Sequence, residues 1–188
     1  LAYVRGRVGG RDETRGYPAI ERILPKVFVL LRNRTGNDFS TYKPSTILRR
    51  IERRMKVHRI EEPSSYLRYL EQTPAEVNIL FHEFLIGVTS FFRDPDAWAA
   101  LETTLLGLIQ SRPEQYVVRA WCAGCSTGEE AYSLAILLRE CMDRTKRAHG
   151  VQIFATDLDP DSIEAARAGR YPAGIAANVS ELRLRRFF

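Results

Sequence analysis

Residues 117–135, Val-Val-Arg-Ala-Trp-Cys-Ala-Gly-Cys-Ser-Thr-Gly-Glu-Glu-Ala-Tyr-Ser-Leu-Ala, constrain the fold more than any other part of the chain. The β-branched and aromatic opening predicts a buried strand, the small residues after it a tight loop, and the spacing from Glu129 a helix. A strand that passes through a small-residue loop into a helix brings backbone N–H groups close to a ligand at the positive end of that helix. Gly124 and Gly128 are expected where a side chain would hold the ligand away. Glu129 and Glu130 place carboxylates in the first helical turn, where anions are favoured but an anionic phosphate would be repelled. A ligand with a cationic head fits better than a nucleotide phosphate. A P-loop is also disfavoured, because it requires Lys before its Ser or Thr.

The chain keeps this texture beyond Ala135. Gln152 to Asp157 reads as a second strand, and Asp159-Pro160 caps a helix that Gly169 ends. Strand–helix–strand–helix opens a doubly wound parallel sheet. Two strands are too few for such a sheet, so the chain is expected to stop in mid-fold, with roughly a hundred residues to follow in a domain of usual size. Ligands in these folds lie beyond the carboxyl ends of the strands, where Asp157 falls. One carboxylate accepts from both hydroxyls of a ribose. The acidic helix start and the absence of phosphate ligands favour S-adenosylmethionine over NAD or ATP, with Glu130 on its α-amino group. Gly124 and Asp157 also lie further apart than the roughly 20 residues of a dinucleotide fingerprint.

Before Tyr116 the pattern is helical throughout. Residues 1 to 18 are Gly- and Arg-rich and read as a tail or linker. Ile20, Ile23, Leu24, Val27, Leu30 and Leu31 predict one helix from Pro18 to Asn33. After Pro44, Ile47, Leu48, Ile51 and Met55 share one face, and Arg49, Arg50, Arg53, Arg54 and Lys56 take the opposite arc. A short helix starts at Pro63. Thr73-Pro74-Ala75-Glu76 matches a capping box ahead of Val77, Leu80, Phe81, Phe84 and Leu85. Asp94-Pro95 caps the next helix, carrying Leu101, Leu105 and Ile109. Phe81, Phe84, Phe91, Phe92, Trp98 and Trp121 read as core, and Tyr171 as packing. The expected domains are residues 19–93, all helical, and 94–188, the start of the ligand-binding domain.

The formal net charge is +5. Residues 45–59 hold six basic residues against Glu52 alone, a surplus of five, so the rest of the chain is balanced. The charge is therefore one patch rather than a property of the surface. Nucleic acid is the weaker partner for it, since no helix-turn-helix spacing or stacking aromatic cluster accompanies it. No apolar run approaches the roughly 20 residues of a membrane span, so no membrane insertion is expected. The N-terminus lacks the apolar stretch of a signal peptide. The chain begins at Leu1 and is expected to be a piece of something longer. Cys122 and Cys125 form a C-x-x-C pair compatible with a redox or half-zinc site, but no second pair exists and the loop has another explanation. No metal is expected, and the compartment is read as cytoplasmic.

The chain resembles the chemotaxis receptor methyltransferases, the CheR family. The residues that carry the resemblance are Thr89-Ser90-Phe91-Phe92-Arg93-Asp94, Trp121 to Glu130, Ala155-Thr-Asp-Leu-Asp159 and Ala168-Gly-Arg-Tyr171. Asp38 to Pro44 with Ile47 to Met55 is similar to the family's helical N-terminal domain, in the version found in hybrid methylesterase–methyltransferase proteins. The resemblance implies an all-helical N-terminal domain and then a truncated, Rossmann-like methyltransferase domain. It implies methyl transfer from S-adenosyl-L-methionine to glutamate side chains of chemoreceptors, leaving S-adenosyl-L-homocysteine. Thr89, Ser90 and Arg93 would close over the cofactor, with Arg93 the catalytic-site residue near its methionyl end or the incoming glutamate. Glu130 would take the amino group and Asp157 the ribose, on the loop of Gly124 and Gly128. Arg49, Arg50, Arg53, Arg54 and Lys56 would dock on acidic receptor helices. The family usually has Asn where this chain has Gly87, and a commoner Ala where it has Gly124. A non-catalytic cofactor-binding or docking module of a hybrid signalling protein is the other reading, and a fused methylesterase domain the other partner.

Overall fold

The computed structural model describes residues 17–188, and most of the expected tail, residues 1–16, lies outside them. The chain forms two compact units, one ending at Ile86 and the other running from Gly87 to Phe188.

The first unit is helical: α1 Pro18–Glu21, α2 Leu24–Thr35, α3 Pro44–Val57, α4 Pro63–Gln72 and α5 Pro74–Phe84. The single helix expected from Pro18 to Asn33 is instead two. Pro25 has no N–H to donate and its ring collides with the carbonyl four residues back, so the chain breaks at Arg22–Ile23 and restarts. Proline stands in the first two positions of all five helices, where a missing N–H does no harm. Their apolar faces meet in one core around Val27, Leu31, Ile47, Leu48, Ile51 and Leu80. Phe39 anchors it, edge-on to Phe84 at 5.3 Å and Phe81 at 5.8 Å.

This core also holds a charge. Glu76 is 2% exposed. Its carboxylate accepts two hydrogen bonds from Arg54, at 2.9 and 2.7 Å, and one from the Tyr66 hydroxyl at 2.9 Å. His58 Nε2 lies 2.9 Å from the same carboxylate. Two expectations fail together here. Thr73 makes no side-chain cap, because Glu76 is drawn inward to Arg54 instead of back to the helix start. Arg54 in turn is not on the solvent face of α3; its guanidinium is the partner that a buried carboxylate requires.

The second unit contains α6 Pro95–Ser111, β1 Val117–Ala123, α7 Glu129–Thr145, β2 Gly150–Thr156, α8 Pro160–Ala168, a 3-10 turn Ala173–Ala177 and α9 Glu181–Phe187. β1 and β2 pair in parallel, from Val117 opposite Gly150 to Ala123 opposite Thr156. This is the strand–helix–strand–helix order of a doubly wound fold. Val118 packs with Leu105 and Ile109 of α6 and with Leu137, Leu138 and Cys141 of α7. A second cluster joins Phe91, Phe92 and Ile136 to Val179, with Tyr171, Ile175 and Leu184 against it. Arg183 ties α9 to α7 through two hydrogen bonds to Glu140, at 2.9 and 2.7 Å, and stacks 3.9 Å above the Phe92 ring.

Two further expectations are corrected. Trp121 is 70% exposed rather than core. Strand alternation sets it on the face opposite Val118 and Cys122, where its indole N–H donates to Thr156 Oγ1 at 3.0 Å. Asp94 precedes α6 but makes no side-chain cap; its backbone is left-handed, at φ 57°. By contrast Asp159 caps α8, accepting from the Asp161 N–H, and Gly169 closes that helix at φ 59°. Among the described residues no helix is long and apolar enough to cross a membrane.

Candidate functional site

Because β1 and β2 run in parallel and end at the same level, the loops after Ala123 and Thr156 leave the sheet side by side. The first turns at once. Gly124, at φ 73°, and Cys125 both donate their N–H to the Thr156 carbonyl, at 2.8 and 3.0 Å. A Cβ on Gly124 would meet nothing within 4 Å, so this backbone borders open space. Gly128 is different. It has φ 98°, and a Cβ there would lie 2.9 Å from both Ala166 Cβ and the Tyr171 hydroxyl. Packing and conformation by themselves require its bare backbone.

Asp157 is held from two sides. One oxygen accepts the Ser126 N–H at 2.7 Å and the other the Asp159 N–H at 2.9 Å. Each oxygen keeps a further acceptor site, so the carboxylate is oriented and still able to take two hydroxyls. Ser126 sits in the left-handed region at φ 47° and is 7% exposed. Its hydroxyl has no hydrogen-bond partner among the described residues.

At the start of α7 the first intrahelical bond runs from the Tyr132 N–H to the Gly128 carbonyl, so the preceding N–H groups have no partner within the helix. The Glu129 carboxylate accepts from the Thr127 hydroxyl at 2.6 Å, while Glu130 is exposed. Two buried thiols register the collected negative charge. Burial, then the charge and hydrogen bond of Glu130, pushes Cys122 up to about 11. Burial, then Asp157, raises Cys125, with smaller contributions from Glu130 and Glu129. Both are free and held protonated, which is the wrong setting for a reactive C-x-x-C pair.

Residues 87–93 run beside the same loop and are tied to α7. A Cβ on Gly87 would lie 3.6 Å from Ser126 Oγ. The Phe92 N–H donates to Ser133 Oγ at 3.0 Å, and that hydroxyl donates to the Glu129 carbonyl at 2.7 Å. Thr89 and Ser90 lie between these two positions and are both half-buried, whereas Val88 is exposed. Arg93 is exposed and donates from Nη1 to the Val88 carbonyl at 2.8 Å, closing its own loop and leaving other N–H groups outward. Ser133 does not stand out in the sequence. Its spacing of four residues after Glu129, where a hydroxyl can bond the i−4 carbonyl, is the one signal that could have marked it.

In the first unit the basic patch is smaller than expected. Arg49, Arg53 and Lys56 are exposed, whereas Arg50 and Arg54 are half-buried. Arg50 and Arg53 share Glu83, at 3.5 and 3.3 Å, and Lys56 pairs with Glu52 one turn back at 2.9 Å.

An oriented carboxylate, an open glycine bend and an acidic helix start thus lie together where the two strands end. The family model described as "CheR methyltransferase, SAM binding domain" matches residues 87–188, and "CheR methyltransferase, all-alpha domain" matches residues 24–85. The chain belongs to the CheR methyltransferase family, and S-adenosyl-L-methionine is the cofactor of this domain. It is 45% identical over 152 residues to an uncharacterized 104.1 kDa protein of Rhodobacter capsulatus, covering 80% of this chain and 16% of that one. It is 35% identical to the putative methyltransferase Cher3 of Pseudomonas putida, covering 71% and 46%. It is 30% identical to a chemotaxis protein methyltransferase of Klebsiella aerogenes, covering 91% and 57%. The chain thus spans little more than half the length of these relatives at most.

Proposed function

We propose that this chain is part of a protein-glutamate O-methyltransferase acting on cytoplasmic segments of methyl-accepting chemotaxis receptors. The observation that carries this reading is the convergence of Asp157, Glu129 and Glu130 on one bend beside the loop of Arg93. Bound there, S-adenosylmethionine supplies an electrophilic methyl group on a positively charged sulfur. Asp157 holds the ribose hydroxyls, Glu130 the α-ammonium, and Arg93 a carboxylate, either the cofactor's own or the substrate's. A glutamate with a pKa of roughly 4.3 is already ionised at neutral pH, so no general base is required of this chain. Transfer of that methyl group to a glutamate oxygen, with the electron pair of the broken bond left on sulfur, is the chemistry the bound cofactor would supply. The chain's contribution is alignment and exclusion of water.

Calorimetric titration of the full-length protein with cofactor and demethylated product, together with labelled-methyl transfer to receptor fragments, tests this. Binding with transfer to glutamate is expected. Cofactor binding without transfer would replace it with a non-catalytic docking module, a reading favoured by the turn of Arg93 onto Val88. The low coverage of the 104.1 kDa relative supports a multidomain parent, in which a fused methylesterase is one candidate neighbour.

Arg49, Arg53 and Lys56 supply the surface for acidic receptor helices. Exposed charges act through a Debye length of roughly 10 Å at 0.1 M salt. The double variant Arg49→Glu/Arg53→Glu should weaken receptor binding about tenfold and flatten its salt dependence, while cofactor affinity stays unchanged. Equal receptor affinity at low salt would remove this patch from the interface. Gel shifts with nucleic acid across the same salt series should show no specific complex.

A further inference from the structure

We propose that Tyr171 is a positioning residue for the cofactor loop, acting through the Thr127–Gly128 peptide. The inference rests on the cofactor reading above for its effect on affinity, but not for its effect on the loop itself.

Tyr171 lies beyond α8 and is remote in sequence from the loop it touches. Its hydroxyl donates to the Thr127 carbonyl at 2.7 Å. Burial, then the charge of Glu129, raises its pKa, so the proton it donates stays in place. The next N–H along, on Gly128, donates to the Cys125 carbonyl at 2.9 Å. One peptide unit is thereby held at both its oxygen and its nitrogen. Gly128, at φ 98°, has no side chain to restrict its backbone, and a bare backbone can take several other conformations. The Tyr171 contact selects one of them. The direction of the first N–H groups of α7, and the place from which Glu129 and Glu130 emerge, depend on it.

The ring of Tyr171 does a second thing. It meets Phe91 edge-on at 4.8 Å and Tyr132 at 5.8 Å. Phe91 belongs to the segment that carries Arg93, and Tyr132 donates to the Ala166 carbonyl of α8 at 3.0 Å. A single side chain therefore touches the cofactor loop, the Arg93 segment and the neighbour of α8. Removing the hydroxyl alone should leave this packing and free the peptide. The cofactor would then have to order a loop that is now pre-set, which weakens binding.

Tyr171→Phe and Tyr171→Leu in the full-length protein separate the two roles. The Phe variant should raise the Kd for S-adenosyl-L-homocysteine and the KM for S-adenosylmethionine five- to twentyfold, with kcat at saturating cofactor within threefold. Hydrogen exchange over residues 125–131 of the unliganded protein should quicken at least fivefold, while α6 and β1 are unchanged. The Leu variant should show the same losses together with a lower Tm. A packing role alone predicts that Phe matches the native protein in Kd and in exchange, and that result would overturn the proposal. If the native protein does not bind the cofactor, the methyltransferase reading fails. The exchange measurement, which needs no cofactor, then still decides the role of Tyr171: unchanged exchange in the Phe variant overturns it.

Discussion

Replacing Glu76 with Ala should destabilise the helical unit by about 3–5 kcal/mol, the usual cost of removing one partner from a buried ion pair. The substitution strands Arg54, whose side chain is only 12% exposed, and deprives Tyr66 and His58 of their acceptor. Glu76→Gln should recover part of the loss, because an amide oxygen still accepts while the charge is gone. The effect should fade in acid. Burial pushes the Glu76 carboxyl up, but hydrogen bonds from Arg54, Tyr66 and His58 more than offset it, so its pKa lies below the ordinary value of 4.5. A depressed carboxyl pKa contributes stability above the unfolded value, and that contribution is lost as pH falls through the folded one. Chemical denaturation of the native and Gln forms should therefore differ most above pH 4.5 and converge as pH falls from there through the lower folded value. A difference that does not begin to shrink below pH 4.5 would show that the carboxylate charge is not what Arg54 answers.

The same residues mark where reading the sequence stops. Glu76 stands three positions after Thr73 at capping-box spacing, and Arg54 falls on the polar arc of a helical wheel, so both local patterns point outward. Their pairing joins residues 22 apart, and neither periodicity nor capping rules carry that distance. Arg54 also shows that an angle on a wheel does not say where a long side chain ends. Trp121 looks like core by composition, yet two-residue alternation with Val118 and Cys122 sets it on the other face. Ser133 is inconspicuous because the Phe92 N–H it accepts from lies 41 residues away and meets it only in the fold. The legible part is the frame: the strand, bend and helix around Gly124, the second strand ending beside it, the Asp159 cap and the Gly169 stop. These depend on neighbours within a few positions. The Pro25 break is legible too, but the apolar periodicity running through it masks a proline that should be decisive.

Asp157→Ala should lower the affinity for S-adenosyl-L-homocysteine at least a hundredfold, the largest single effect expected in the second unit. Two hydroxyls donating to one carboxylate are hydrogen bonds to a charged acceptor, each worth about 1.5–3 kcal/mol. The side chain also accepts the Ser126 N–H at 2.7 Å, and Ser126 holds a left-handed φ of 47° that a non-glycine residue adopts only under constraint. Loss of the carboxylate therefore removes the proposed ribose acceptor and loosens the bend next to it. Asp157→Asn distinguishes these contributions. Its amide oxygen can keep one backbone donor, so the loop should hold while the charge and one acceptor are gone, giving an intermediate loss of roughly ten- to thirtyfold. Asp161→Ala, an exposed position in the first turn of α8, should leave affinity within twofold. Calorimetry on the full-length protein, with Tm recorded for each variant, provides the comparison. A folded Asp157→Ala protein that binds as tightly as the native one would mean that the strand end does not face the ribose, and that the acidic helix start alone selects the ligand.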